Sequence, residues 1–222
     1  MTVEIITTAD GSHSLRHTEL QETYHSIHGA LQESNHVFIR NGLDFYLQST
    51  AEKASIFEVG FGTGLNAWLT LRQARLRNLR IQYTAVEAYV LPEQIWSGLN
   101  YAEDEETRKD FEALHRAALN EPVKICNEFK LTKLHQRLED IDAMAAAYDV
   151  VYFDAFAPNK QPEMWTLSVL SKIEGLMRPG ALFVTYCAKG QLKRDLKSLG
   201  LIVETLEGPP GKKEMVRAQK PL

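Results

Sequence analysis

The sequence predicts an α/β protein built on a mostly parallel, Rossmann-like sheet. Three observations carry that expectation. Strand patterns alternate with helical stretches along most of the chain, as they do in successive β-α-β units. Tyr148–Phe153 is apolar except for Asp149, which suits a strand buried on both faces. A second apolar strand, Ser55–Gly60, runs straight into a glycine-rich turn followed by a helical stretch.

The elements follow in order. A helix is expected from about Leu65, with Trp68, Leu69 and Leu76 on one face. Tyr83–Val86 is a second strand ending at Glu87. Residues 92–118 read as one or two helices, with the acidic stretch Glu103–Glu106 near a helix start, where negative charge is favoured. Phe129–Leu134 is a third strand, and Tyr148–Phe153 delivers Asp154 at its end. Pro162 suits a first helical turn, and Trp165, Val169, Ile173 and Leu176 continue that helix until Arg178-Pro179-Gly180 stops it. Ala181–Tyr186 is a strand, Gln191–Leu199 a helix, and Leu201–Leu206 with Met215–Ala218 close the sheet as an antiparallel edge hairpin. That makes seven strands. Residues 1–50 are expected to form an extension packed over the ligand-binding end, and 51–222 the core.

Composition narrows the class of protein. At 222 residues, 44% hydrophobic and 24% charged, the chain fits one ordinary globular domain. No apolar run approaches the ~20 residues that span a bilayer, and the polar first thirty residues do not resemble a signal peptide. Two cysteines, Cys126 and Cys187, are too few for a disulfide framework and fit a reducing cytoplasm. The net charge of −4 is unevenly spread. From Arg178 to Leu222, nine Lys/Arg stand against four acids, a local +5 against −9 elsewhere. Either one edge faces something anionic, or the charge is simply solvated.

The glycine turn, Glu58-Val59-Gly60-Phe61-Gly62-Thr63-Gly64, lets backbone approach a ligand closely. Its third glycine comes one residue too early for the dinucleotide fingerprint. Glu58 would repel a pyrophosphate, and Glu87, 23 residues past Gly64, is placed to accept hydrogen bonds from ribose hydroxyls. A nucleoside with a cationic sulfonium, S-adenosylmethionine, tolerates both acids; a nicotinamide cofactor and a ligand-free turn are the alternatives. Asp154 ends a strand where ligands of parallel sheets bind, and a carboxylate near its reference pKa of ~4 can orient an amine and take its proton. A capping carboxylate is the plainer reading.

Other signals are weaker. Cys187 is the sole candidate for a thiolate nucleophile and reads better as a small buried residue. His25, His28 and His36 have no cysteine or acidic partner to complete a ligand spacing, so no metal is expected. Gly208-Pro209-Pro210-Gly211-Lys212-Lys213 has too few residues between its glycines for a triphosphate loop, although a basic loop touching RNA phosphates stays open.

With these pieces assembled, the sequence resembles the methyltransferases that make 5-methylaminomethyl-2-thiouridine at the tRNA wobble position. The resemblance spans nearly the whole chain. It rests on Glu33-Ser34-x-His36-Val37-Phe38, on Gly60-Phe61-Gly62-Thr63-Gly64-Leu65-Asn66, on Asp154-Ala155-Phe156-Ala157-Pro158 followed by Gln161-Pro162-Glu163-Met164-Trp165, and on Gly211-Lys212-Lys213-Glu214-Met215. It implies a class I, Rossmann-like methyltransferase using S-adenosylmethionine to convert a wobble aminomethyl group to methylaminomethyl. Carried over by position, Glu58, Gly60, Gly62, Gly64, Asn66 and Glu87 hold the cofactor, and Glu139 or Asp140 reaches its adenine. Asp154 sits between the methionine end and the substrate amine. Phe156, Pro158, Lys189, Lys212, Lys213 and Arg217 are the candidates for substrate and tRNA, because a splayed anticodon base can enter a pocket while basic residues track phosphates.

The family is often fused to an oxidase that prepares the aminomethyl substrate. The stand-alone form expected here depends on a separate enzyme for it. Gln161 replaces the usual Asn, and Lys213 replaces the usual Arg, which removes a bidentate phosphate donor. Two other functions compete: transfer of methyl or aminopropyl to a small amine, which leaves the +5 region unexplained, and a non-catalytic cofactor-sensing or RNA-binding module.

Overall fold

The computed structural model describes residues 2–48, 52–141 and 146–222. A small antiparallel sheet comes first, from β1 (Val3–Thr7), β2 (His13–His17) and β3 (Glu22–Thr23). A continuous helical segment follows, α1, made of Ala30–Ser34, a π-wound stretch Asn35–Asp44, and Phe45–Leu47. Then come β4 (Lys53–Val59), α2 (Leu65–Arg77), β5 (Arg80–Val86), α3 (Glu93–Trp96), α4 (Glu105–Arg116), β6 (Pro122–Lys124) and β7 (Phe129–Leu134). The second half holds β8 (Tyr148–Phe153), α5 (Leu167–Leu176), β9 (Met177–Thr185), α6 (Gly190–Ser198), β10 (Ile202–Glu207) and β11 (Glu214–Gln219). Single 3-10 turns lie at Leu138–Asp140 and Pro162–Trp165.

The main sheet has the order β10-β11-β9-β8-β4-β5-β7-β6. Its five central strands are parallel; β6 at one edge and the β10–β11 hairpin at the other are antiparallel. This is one strand more than expected, because the three-residue β6, carrying Pro122 and Lys124, has no readable strand pattern. The closing hairpin lies where the sequence puts it.

Alternation along the central strands divides the core in two. Ile56, Val150 and Tyr152 face a layer containing Phe38, Leu43, Trp68 and Phe111 from α1, α2 and α4. Phe57, Val151 and Phe153 face Leu170, Ile173 and Leu196 from α5 and α6. The capping box at Asp104, where Thr107 N–H donates to Asp104 Oδ1 (2.8 Å), starts α4 within the acidic stretch.

Two expectations change. Leu76 is 81% exposed, so the buried face of α2 ends at Ala74. Arg178-Pro179-Gly180 does not terminate α5 as a loop; the helix stops at Leu176 and these residues begin β9. The register shifts opposite Tyr148–Val150, Gly180 has φ +80°, and its N–H donates to Lys220 O (2.9 Å), so the segment enters the sheet as an irregularity rather than ending outside it.

The N-terminal segment contributes both to the cleft and to the packing on the sheet. The β1–β2 turn supplies the first amides of α1 with acceptors: Ala30 N–H donates to Thr8 Oγ1 (3.2 Å), Leu31 N–H to Ser12 Oγ (3.2 Å) and Gln32 N–H to Asp10 Oδ2 (3.1 Å). From there α1 lies directly on the sheet. A Cβ at Gly42 would come within 3.1 Å of the Tyr152 ring and of a Val184 methyl. Residues 30–47 are thus part of the core's helical layer. Truncating Phe38, 1% exposed, to Ala should cost about 3–5 kcal/mol in urea denaturation, whereas Leu76→Ala should stay within about 0.5 kcal/mol.

Candidate active site

The chain builds β4, β5 and β7 outward in one direction, then β8 and β9 in the other, so the order reverses between β4 and β8. A crevice opens at the carboxyl ends of strands at such a switch point. The glycine turn after β4 and Asp154 after β8 therefore emerge side by side, and Asp154 N–H donates to Val59 O (3.1 Å). Gly60 has φ +86°, and a Cβ there would lie 2.8 Å from the Asp154 carbonyl oxygen. A side chain would push the turn off the Asp154 loop.

Asn66, in the first turn of α2, links two acids. Its Nδ2 donates to Glu58 Oε1 (3.0 Å) and to Asp154 Oδ2 (2.8 Å). In this orientation Asn66 Oδ1 is left buried without a hydrogen-bond partner among the described residues. Glu58 is completely buried, and burial drives its pKa well above the usual range despite the Asn66 hydrogen bond. Asp154 opens onto the cleft and is pushed up to about 7, first by burial and then by the charge of Glu33, with Asn66 and Lys212 opposing. The sequence expectation of an ordinary carboxylate near ~4 is corrected by that surrounding.

Glu87 Oε2 accepts from Gly62 N–H (3.0 Å) and Oε1 from Tyr89 N–H (2.7 Å), which fixes the carboxylate at the end of β5; burial raises its pKa. These groups line a cleft of about 610 Å³. The N-terminal layer covers it with Tyr24, His25 and Glu33, and Tyr24 meets the Phe156 ring edge-on at 5.1 Å. Trp165 Nε1 donates to Phe156 O (2.8 Å) and Lys160 Nζ to Leu20 O (2.8 Å), tying the Asp154 loop to both the core and the N-terminal layer.

The structure brings Gly60, Gly62, Asn66, Glu87, Glu139, Asp154, Phe156 and Lys212 to the cleft wall. Glu58 instead lies beneath the floor, bonded to Asn66 and within electrostatic reach of Asp154 and Glu87. Gly64 has φ +73° and starts α2 behind the wall. Of the adjacent pair, Glu139 faces the cleft and pairs with Arg137 (3.0 Å), while Asp140 is exposed elsewhere. Pro158 does not line it. Lys189 and Lys213 are exposed outside it.

Arg217 leaves the expected basic edge altogether. It is 7% exposed, paired with Glu204 (2.8 Å) and held 3.4 Å over the Phe45 ring. Cys187 is 6% exposed, as its packing reading expects. His36 Nε2 is bonded to Glu207 O (2.8 Å), and His25 is buried between Ser14 and Thr63, where burial holds it near pKa 4.

Sequence reasoning missed Tyr24, Tyr186 and Glu33 as cleft residues. Tyr186 follows the end of β9, the position in the topology that singled out Glu87 and Asp154. Tyr24 and Glu33 arrive from the N-terminal layer; no local pattern marks Tyr24, and Glu33 stands in the Glu33–Phe38 motif without a role assigned to it.

A doubly wound sheet with a glycine turn and strand-end acids around one cleft at the switch point has the arrangement of a nucleotide- or nucleoside-binding α/β protein. The chain belongs to the S-adenosyl-L-methionine-dependent methyltransferase family, whose model matches residues 106–221. S-adenosylmethionine is accordingly its cofactor. Among relatives, it is 28% identical over 213 residues to the tRNA 5-methylaminomethyl-2-thiouridine biosynthesis bifunctional protein MnmC of Marinomonas sp. (strain MWYL1), a match that covers 89% of this chain and 31% of the relative. Identity with the protein of the same name from Cupriavidus necator is 31%, over 89% of this chain and 31% of the relative. The chain thus spans about a third of the length of these curated relatives. The crystal structure of MNMC2 from Aquifex aeolicus superposes with a TM-score of 0.81 at 28% identity, covering 100% of this chain and 72% of that one.

The raised pKa of Asp154 has a consequence for stability. Its folded value of about 7 exceeds the ordinary value of 3.8, so the folded state holds the extra proton between those limits. The carboxylate's cost is absent below pH ~4 and grows as pH rises towards ~7. Asp154→Asn should therefore raise Tm relative to the parent protein more at about pH 8 than at about pH 5, as calorimetry would show.

Proposed function

We propose that this chain N-methylates the 5-aminomethyl group of wobble (2-thio)uridine in tRNA, giving 5-methylaminomethyl-(2-thio)uridine. The observation that carries the reading is the placement of Asp154 on an acid-floored cleft in a chain that matches the Aquifex aeolicus MNMC2 structure over its full length. The residues present suit the cofactor. Glu87 and Asp154 give the cleft negative charge suited to a cation, and Asn66 Oδ1 is an acceptor left over in its wall.

S-adenosylmethionine, when bound, supplies an electrophilic methyl group on a sulfonium. The chain's residues then have separable tasks. Glu87 would accept ribose hydroxyls, Glu139 would serve the adenine end, and the backbone of Gly60 and Gly62 would line the path between them. Asp154 would hold the acceptor nitrogen and take the proton that nitrogen sheds on methylation. A group with pKa about 7 is well matched to that task at neutral pH. Phe156 and Tyr24, set edge to face, would flank an extruded base.

Lys189 and Lys213 are the exposed cations of the proposed tRNA edge; no ion pair joins either of them to a described residue. The anticodon loop is the part of tRNA this geometry suits, because a wobble base must leave its stack to reach Asp154. A separate enzyme would supply the aminomethyl group, and the cytoplasm would be the location. No helix among the described residues is long and apolar enough to cross a membrane. A metal has no task in this reading.

Nucleoside mass spectrometry tests the reaction. Unfractionated tRNA from cells lacking the protein, incubated with S-adenosylmethionine and purified protein, should lose 5-aminomethyl-(2-thio)uridine and gain a nucleoside heavier by one methylene. Unchanged tRNA would refute it. In filter binding, Lys189→Glu with Lys213→Glu should weaken tRNA affinity and reduce its log–log salt slope by about 0.7–0.9 for each phosphate no longer neutralised. An unaltered slope would remove this edge from the interface.

A further inference from the structure

Lys212 does not behave as a rim cation. The turn between β10 and β11, closed by Lys212 N–H to Pro209 O (2.9 Å) and Gly208 N–H to Lys213 O (3.2 Å), aims its side chain into the cleft. There Lys212 Nζ is ion-paired with Glu33 Oε1 and lies 3.7 Å from the centre of the Tyr186 ring. The Glu33 carboxylate is 6% exposed and also accepts from Ser26 N–H (2.6 Å). The Tyr186 ring is pinned by its hydroxyl, which donates to Ala155 O (2.9 Å), one residue from Asp154. Glu33 and Lys212 both act electrostatically on Asp154.

A buried carboxylate beside a fixed aromatic face is a receptor for a primary alkylammonium. Lysine ends in that group, –CH2–NH3+, and so does a protonated aminomethyl nucleobase. We propose that Glu33 and Tyr186 form the binding site for the substrate's aminomethyl ammonium, and that Lys212 fills this site in the free protein as an internal surrogate that the substrate displaces. The inference rests on the proposed amine methylation, since it assigns the acceptor's subsite. Held by Glu33 and Tyr186, the substrate ammonium stands next to Asp154, which removes one proton from nitrogen and frees the lone pair.

The surrogate also makes the site selective. A bare small amine must displace Lys212 with its ammonium alone, and it gains no more there than the lysine loses. A substrate that also binds through its base and phosphates has free energy left over for the exchange. Lys212, once displaced towards the rim, faces an anionic partner rather than water. The same pair explains why Glu33, a carboxylate without solvent, is tolerated in the free protein.

Calorimetric titration with two nucleosides tests this: 5-aminomethyluridine, and 5-methyluridine, which lacks the ammonium. Lys212→Met should bind 5-aminomethyluridine at least tenfold tighter than the parent protein and leave 5-methyluridine unchanged. Adding Glu33→Gln should abolish the gain. Equal affinity of Lys212→Met and parent, or a gain that survives Glu33→Gln, overturns the proposal. Lys212→Met leaves Glu33 uncompensated and could be too unstable to titrate. Thermal unfolding then serves, with propylammonium chloride raising its Tm well beyond the effect of equimolar sodium chloride; equal effects of the two salts overturn the proposal as well. The outcomes separate from those of the tRNA reaction. A Glu33-dependent gain with unmethylated tRNA keeps the ammonium site and removes the tRNA assignment, while methylated tRNA with no gain removes the surrogate alone.

Discussion

One side-chain amide organises the reactive end of this molecule. Asn66 gives both of its hydrogens to acids from neighbouring parallel strands, Glu58 on β4 and Asp154 after β8. Without that donor, two acids already pushed towards their protonated forms by burial would face each other with no polar group between them. The amide can reach both only because β4 and β8 are adjacent in register and α2 begins at Gly64 with φ +73°. Strand order, the glycine turn and the charge of Asp154 are therefore one constraint seen at three scales.

The N-terminal layer is bound to the same end by several independent contacts. The β1–β2 turn caps α1, α1 lies against β8 and β9, and His25 reaches the glycine turn through Thr63. The turn is supported from the other side by His115, whose Nε2 donates to Thr63 O (3.1 Å) while its ring stacks on Trp96 at 4.7 Å. Burial holds His115 near pKa 3, so it stays neutral and keeps one ring proton for that bond. The turn is thus held at Thr63 by two buried histidines and at Gly62 by the Glu87 carboxylate.

Charge is used differently at the far edge. Much of the cationic excess in the last 45 residues is neutralised in place: Arg178 by Asp149, Lys193 by Glu214, Arg217 by Glu204, Lys220 by Glu174 and Lys212 by Glu33. Three of these five partners, Asp149, Glu174 and Glu33, lie outside that segment. A charge count along the chain therefore overstates the basic surface, and only the folded arrangement separates Lys189 and Lys213 from cations that are already paired.

The parallel core, the helices over its faces and the closing hairpin were legible in the sequence because each rests on local physics. Strands buried on both faces read as apolar runs, amphipathic helices carry their period, and a glycine turn between strand and helix marks a ligand-binding end. The strand-end acids Glu87 and Asp154 were readable for the same reason. What the chain could not declare locally was decided by tertiary structure. Glu58 sinks beneath the floor because β4 is central, Arg217 turns inward onto Phe45, and Asp154 leaves its ordinary pKa because apolar walls and Glu33 surround it. Glu33 and Lys212 are 179 residues apart and meet only through packing of the N-terminal layer on the last hairpin. Sequence by itself determined the fold class and the position of the glycine turn and strand-end acids, since these follow from periodicity and spacing, while the class of chemistry came from the family resemblance. Burial, pairing and proton affinity depend on neighbours distant in the chain, and only the folded structure brings them together.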